Sequence, residues 1–150
     1  MIDQIADAKS IKELQESLES RREVLSTPIL SDLKLISTIY DIFNSIESMK
    51  SIPPRKGSVN QRKKFCFIAL RLYSPATILF DDQMMKGLRK RIAEVLEVRA
   101  VSSISDYCED VIFLYKTYKS FRPNMDYLYK EMLSQLVTKK ILNKDVLEFL

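Results

Sequence analysis

Cations and hydroxyl groups are the side chains of this sequence best placed to take part in chemistry. The chain has no histidine, which removes the commonest general base and the commonest metal ligand. Cys66 and Cys108 are far apart in the sequence and lack the close spacing of zinc ligands. The adjacent Asp81 and Asp82 are more typical of a helix cap than of a catalytic pair. These features predict a non-enzymatic protein with no metal, no cofactor and no small-molecule substrate.

The positive charge is concentrated in the middle third of the chain. Positions 51–100 carry eleven Lys or Arg and four Asp or Glu, whereas positions 1–50 carry six and nine. Such an uneven field favours an anionic partner, and the alternative is a solvated basic face. The candidate binding residues are the cations and hydroxyls of this region and its continuation, namely Arg55, Lys56, Arg62, Lys63, Lys86, Arg89, Lys90, Arg91, Arg99, Ser102, Ser103 and Ser105.

Most of these side chains belong to a predicted pair of helices at about 87–118. Apolar residues recur at helical spacing up to Leu96, stop, and restart at Ile104. Ser102 or Ser103 is placed to cap the second helix. A helix, a tight turn and a capped second helix form the layout of a helix-turn-helix, whose second helix enters the major groove of DNA.

The turn of this motif contains the run 99–104, with an arginine first, two hydroxyl residues fourth and fifth, and an apolar residue last. This run resembles the turn in the C-terminal DNA-binding domain of the bacterial replication initiator DnaA, and the resemblance covers about residues 58–118. The second and third residues are apolar here and polar in that family, and Glu97 replaces a glycine. The resemblance implies that Arg99 and the hydroxyls at 102–103 approach the major groove and its phosphates.

The rest of the chain is also predicted to be helical. Only two glycines occur in 150 residues, which disfavours a fold rich in hairpins and any phosphate loop rich in glycine. Residues 2–25 form a predicted amphipathic helix, and Thr27 with Pro28 predicts the start of a second helix over 29–49. These two helices either pack together as an antiparallel hairpin or pair, through residues 2–49, with a second copy of the chain.

A proline pair divides the predicted architecture. The segment 51–57 contains Pro53-Pro54 and Gly57 and separates an acidic helical hairpin at 1–50 from a basic helical domain at 58–150. Ser58 and Gln61 then have the spacing of a capping box. The helix that they begin is apolar nearly all round after its first turns, which is typical of a central, buried helix.

No apolar run approaches the length of a membrane span, and no signal peptide is evident. Both cysteines are predicted to be reduced core residues, so the expected compartment is the cytoplasm. The sequence predicts an all-α double-stranded DNA-binding protein of bacterial or phage type, acting as a regulator or as an accessory of replication or of a mobile element. The alternative is a helical protein–protein interaction protein or a virion-type structural or scaffold protein with a solvated basic face.

Overall fold

All regular secondary structure among the described residues is helical. The computed structural model describes residues 3–149, so the outermost residues of the predicted segments 1–50 and 58–150 lie outside it. The all-α prediction is confirmed, since residues 3–149 contain no strand. The α-helices are α1 (Gln4–Ser26), α2 (Ile36–Ser48), α3 (Val59–Tyr73), α4 (Pro75–Phe80), α5 (Leu88–Leu96), α6 (Val101–Thr117) and α7 (Phe121–Thr138), and short 3-10 helices cover Leu33–Leu35 and Lys144–Phe149.

The central element is α3, as its apolar composition predicts. The Ser58 hydroxyl accepts a hydrogen bond from the Gln61 N–H at 3.4 Å, which caps the helix at the expected residue. From Phe65 onward nearly every side chain of α3 is buried. The ring of Phe65 packs against those of Phe43 and Tyr40 on α2, with centroid distances of 5.5 and 4.8 Å. The predicted hairpin and the basic domain therefore contribute to one buried cluster.

The second helix begins later than its sequence predicts. Thr27 and Pro28 do not start a helix. Instead, the N–H groups of Ile29 and Leu30 both donate to the carbonyl oxygen of Leu72 at 3.0 Å. These bonds satisfy a carbonyl near the C-terminal end of α3, which holds the connecting segment extended and delays α2 until Ile36. The predicted N-cap and helix start at 27–29 are therefore wrong.

The first helix has no buried residue along its described length. Its principal contact is with the region of α4, where the Arg22 guanidinium lies 2.7 Å from Asp82 and 4.5 Å from the centre of the Phe80 ring. Because residues 27–32 are not helical, α1 does not continue directly into α2, and α2 packs mainly on α3, α5 and α7. The antiparallel hairpin is not confirmed.

The segment between α3 and α5 also differs from its prediction. Residues 75–80 form a short helix, with Pro75 at the first position of α4. Neither Asp81 nor Asp82 caps α5: that helix begins at Leu88, after Gly87 with φ of 86°. Asp81 instead ends α4 in the left-handed conformation, and Asp82 pairs with Arg22.

Both cysteines lie in the core, as predicted. Cys66 on α3 and Cys108 on α6 are free thiols and are buried. The neighbouring Cys108 thiol and the burial of Cys66 raise the pKa of Cys66. The Cys66 thiol therefore stays protonated, and both side chains lie in the contact between α3 and α6, the largest between helices among residues 3–149.

Among residues 3–149, Glu47 is the one carboxylate side chain that is buried. Its carboxylate lies 2.5 Å from the Lys50 ammonium and 3.4 Å from that of Lys64, and it accepts a hydrogen bond from the Gln61 amide at 3.4 Å. Burial opposes ionisation of Glu47, but the combined hydrogen bonds and charges of these three residues outweigh it, so the pKa of Glu47 lies below its ordinary value. The network fixes the end of α2 to the basic start of α3.

Candidate nucleic-acid interface

The polypeptide between α5 and α6 makes a tight turn of four residues. Glu97 has φ of 58° and ψ of 40°, and the N–H of Val98 donates to the carbonyl oxygen of Ala93 at 2.9 Å. This is the hydrogen bond of a Schellman motif, which places a residue in the left-handed region that glycine favours. Glu97 therefore adopts a backbone conformation for which a glycine would be better suited.

The start of α6 is exposed and has no side-chain cap. The helix begins at Val101, and the carbonyl oxygen of Ala100 accepts from the N–H of Ser103 at 3.0 Å. The prediction that Ser102 or Ser103 caps this helix is wrong, because the extended residue before the helix is Ala100 and both serines lie in the first turn. Ser102 is exposed and Ser103 is partly exposed, and Arg99 is exposed in the turn beside them.

One group of predicted cations lies beside α6 on the side of α5. The Arg89 guanidinium donates to the Ser105 hydroxyl at 2.8 Å and so joins α5 to α6. Lys86 and Lys90 line the same open groove as Arg89 and Ser105. We call Lys86, Arg89 and Lys90 the α5 cations.

A second group lies beside α6 on the side of α3. The Arg62 guanidinium donates to the Tyr107 hydroxyl at 3.3 Å, and the Lys63 ammonium lies 3.2 Å from a carboxylate oxygen of Asp110. Arg62 and Lys63, which we call the α3 cations, thus reach α6 from the opposite side to the α5 cations. Arg55 lines a smaller groove together with Lys63.

Two predicted cations are not gathered at this place. Arg91 turns away from the α5 cations, because its guanidinium donates to the Glu94 carboxylate at 2.8 Å and to the Leu33 carbonyl oxygen at 3.4 Å. Lys56 is exposed in the segment before α3, and no contact brings it to α6. Arg55 lies near Leu114, toward the C-terminal end of α6. The α5 cations and the α3 cations contact or line α6 from two sides.

The outward face of α6 is acidic and apolar as well as polar. Ser102, Asp106, Glu109 and Phe113 follow one another at helical spacing and are all exposed, with 59% of Phe113 accessible. Of the three carboxylates on α6, only that of Asp110 is paired with a cation of α3.

Two residues that line the groove beside this face are not among the binding residues predicted from the sequence. Lys116 lines the groove of the α5 cations from the far end of α6 and lies 3.8 Å from Asp81. Phe113 lines the same groove, and its spacing from Asp106 and Glu109 is the signal that could have located it. By contrast, Tyr115 packs in the protein, since its ring stacks on that of Phe67 at 4.6 Å and its hydroxyl lies 2.6 Å from Asp126.

Comparisons with protein-family models, with curated proteins and with solved structures find no match to this chain. No helix among residues 3–149 is long and apolar enough to cross a membrane. The same residues contain no group of three or more carboxylate or thiol side chains that could hold a metal ion. The cations on two sides of α6 are therefore the feature that bears most directly on function.

Proposed function

We propose that this protein binds double-stranded DNA with α5, the turn 97–100 and α6 acting as a helix-turn-helix. The observation that carries the proposal is the position of α6 between two groups of cations, with its N-terminal turn exposed. A helix in the major groove lies between two phosphate backbones, so cations on both sides of it can each meet one backbone. The α3 cations and the α5 cations supply such a pair.

The side chains divide into two roles. The α5 cations and the α3 cations contact phosphates, which fix the position of the protein without reading sequence. Arg99 and Ser102 stand at the start of α6, where side chains of a helix-turn-helix meet base edges. Arginine pairs with guanine through two hydrogen bonds, and serine donates to or accepts from several bases.

The acidic residues on the outward face of α6 favour sequence-selective binding over binding to any DNA. Asp106 and Glu109 repel phosphates, so they weaken binding to DNA of arbitrary sequence. A carboxylate that reaches a base edge accepts a hydrogen bond from the cytosine amino group. We therefore propose a sequence-selective protein whose site contains cytosine opposite the middle of α6.

A second candidate function is a helical interaction or scaffold protein. The observation that favours it is the exposure of four regularly spaced apolar side chains on α1, which is typical of a surface for another protein. They are Ile11, Leu14, Leu18 and Leu25. In that case the basic groups around α6 would be a solvated face. Both functions can reside in one chain, so the test of the proposed function is whether the protein binds DNA with a sequence preference that depends on α6.

Selection from a random-sequence duplex library tests the proposal. The wild-type protein should retain duplexes enriched in a short cytosine-containing site. The Arg99→Ala/Ser102→Ala variant should shift the preference at the corresponding positions by about 1–3 kcal/mol, because the paired hydrogen bonds to a base are absent. The matched control is Lys119→Ala/Ser120→Ala, which removes one cation and one hydroxyl from the exposed junction after α6 and should leave the preference unchanged. Failure of the folded wild-type protein to retain any duplex would contradict the proposal.

A further inference from the structure

The first helix carries an apolar stripe that the rest of residues 3–149 leaves largely exposed, and only Leu25 at its C-terminal end lines a groove of the body. Ile11, Leu14, Leu18 and Leu25 recur at intervals of three, four and seven residues and so lie on one side of α1. Their accessible fractions are 57, 63, 64 and 58%. Burying such side chains is the main source of stability for an amphipathic helix.

This helix gains little from the rest of its own chain. It is 23 residues long and has no buried residue, and Arg22 anchors only its C-terminal end, to Asp82 and Phe80. Helices in proteins owe most of their stability to packing of an apolar face rather than to intrinsic propensity. An occupant on the stripe would therefore stabilise α1.

We propose that this occupant is α1 of a second copy of the chain, packed in the antiparallel direction. Asp7 and Arg21 lie on the same stripe as Leu14, seven residues before and seven after it. A parallel pair would place each charged residue opposite its own copy, so like charges would meet in the seam. An antiparallel pair that packs Leu14 on Ile11 or Leu18 of the partner subunit brings Asp7 within one turn of Arg21 of the partner subunit.

The residues beside the stripe also fit self-association. Ala8 and Gln15 flank it on one side, and Ser10 and Ser17 flank it on the other. These four side chains are uncharged, so two copies approach without repulsion along residues 8–17. Arg22 continues the first side and is paired with Asp82 of its own chain. The antiparallel direction places the two globular bodies at opposite ends of the helix pair, because each body joins its α1 at the C-terminal end. Such a dimer forms whether or not the protein binds DNA.

Sedimentation equilibrium of the full chain tests the association. The wild-type protein should sediment with twice the 17.5 kDa mass of one chain. Leu14→Asp should raise the dimer dissociation constant at least about tenfold, because each dimer would bury two carboxylates in an apolar seam. Ser20→Asp adds the same charge on the opposite side of α1 and should leave the dimer intact. A monomeric wild-type protein, or equal association by both variants, would overturn the proposal and assign the stripe to a different occupant.

Charge exchange tests the direction. In an antiparallel dimer, Asp7→Arg alone and Arg21→Asp alone each place like charges within one turn, so each should weaken association. The double variant Asp7→Arg/Arg21→Asp should restore association to the wild-type level. A parallel pair already faces like charges at both positions, so unchanged association of the single variants would overturn the antiparallel arrangement. Circular dichroism should show that every variant keeps the helical body.

Discussion

Reversing both Arg89 and Lys90 to glutamate should weaken binding to every DNA duplex by roughly 100-fold at low salt. Both side chains line the groove beside α6, and Arg89 also donates to the Ser105 hydroxyl. The change removes two cations that meet phosphates and puts two negative charges near the backbone. The logarithmic dependence of affinity on salt should also become shallower by about 2, one for each phosphate that is no longer neutralised. Fluorescence anisotropy with labelled duplexes measures both effects.

The matched control for this variant is Lys139→Glu/Lys140→Glu. These two lysines are adjacent and exposed at the end of α7, so the control makes the same change in net charge at another place. It should lose much less affinity than Arg89→Glu/Lys90→Glu. Equal losses would show that affinity follows net charge alone and that the α5 cations have no special position.

Removing both lysines from Glu47 should destabilise the fold more than any substitution of an exposed polar residue. Lys50→Met/Lys64→Met leaves a carboxylate that is 2% exposed with the Gln61 amide as its remaining partner. An uncompensated buried charge costs up to about 3–5 kcal/mol, and the partial exposure of the lysines reduces the expected loss to about 2–3 kcal/mol. Urea unfolding at pH 7 measures the loss.

The contribution of Glu47 to the stability of the fold depends on pH. In the wild-type protein the pKa of Glu47 lies below its ordinary value of 4.5, so its contribution to stability is present above pH 4.5 and is lost as the pH falls through the lowered pKa. In the double variant the lysines are gone and burial raises the pKa of Glu47. The stability lost relative to the wild type should therefore be greatest at pH 7, and it should diminish in acid, where Glu47 becomes protonated. Adding Glu47→Gln should recover most of the loss at pH 7. A double variant as stable as the wild type at pH 7 would contradict the role of this network.

The sequence predicts those parts of the fold that depend on local pattern. The all-round apolar run of α3 identifies the central helix, and Ser58 identifies its N-cap, because both signals act within one helix. The start of α2 depends instead on hydrogen bonds from Ile29 and Leu30 to Leu72, which are distant in the sequence. Thr27-Pro28 carries a valid local signal for a helix start that these bonds override.

The candidate site is predictable to a similar degree. Charge distribution and helical spacing select the region in which the cations gather around α6, but they cannot tell Arg89 from Arg91. The two arginines are two residues apart on one helix, and Arg91 is turned aside by Glu94 and the Leu33 carbonyl oxygen. The helix predicted at 2–25 is observed over Gln4–Ser26, whereas periodicity alone does not say which surface covers its apolar stripe.

The dependence of wild-type DNA affinity on salt tests the central claim most directly. Five cations, those of the α5 and α3 groups, should neutralise five phosphates for each chain, which corresponds to a slope of about −4.5 in log affinity against log salt. Raising the salt from about 50 to about 200 mM should therefore weaken binding roughly 500-fold per chain. Absence of binding at the lower salt, with the helical content intact by circular dichroism, would contradict the DNA-binding function.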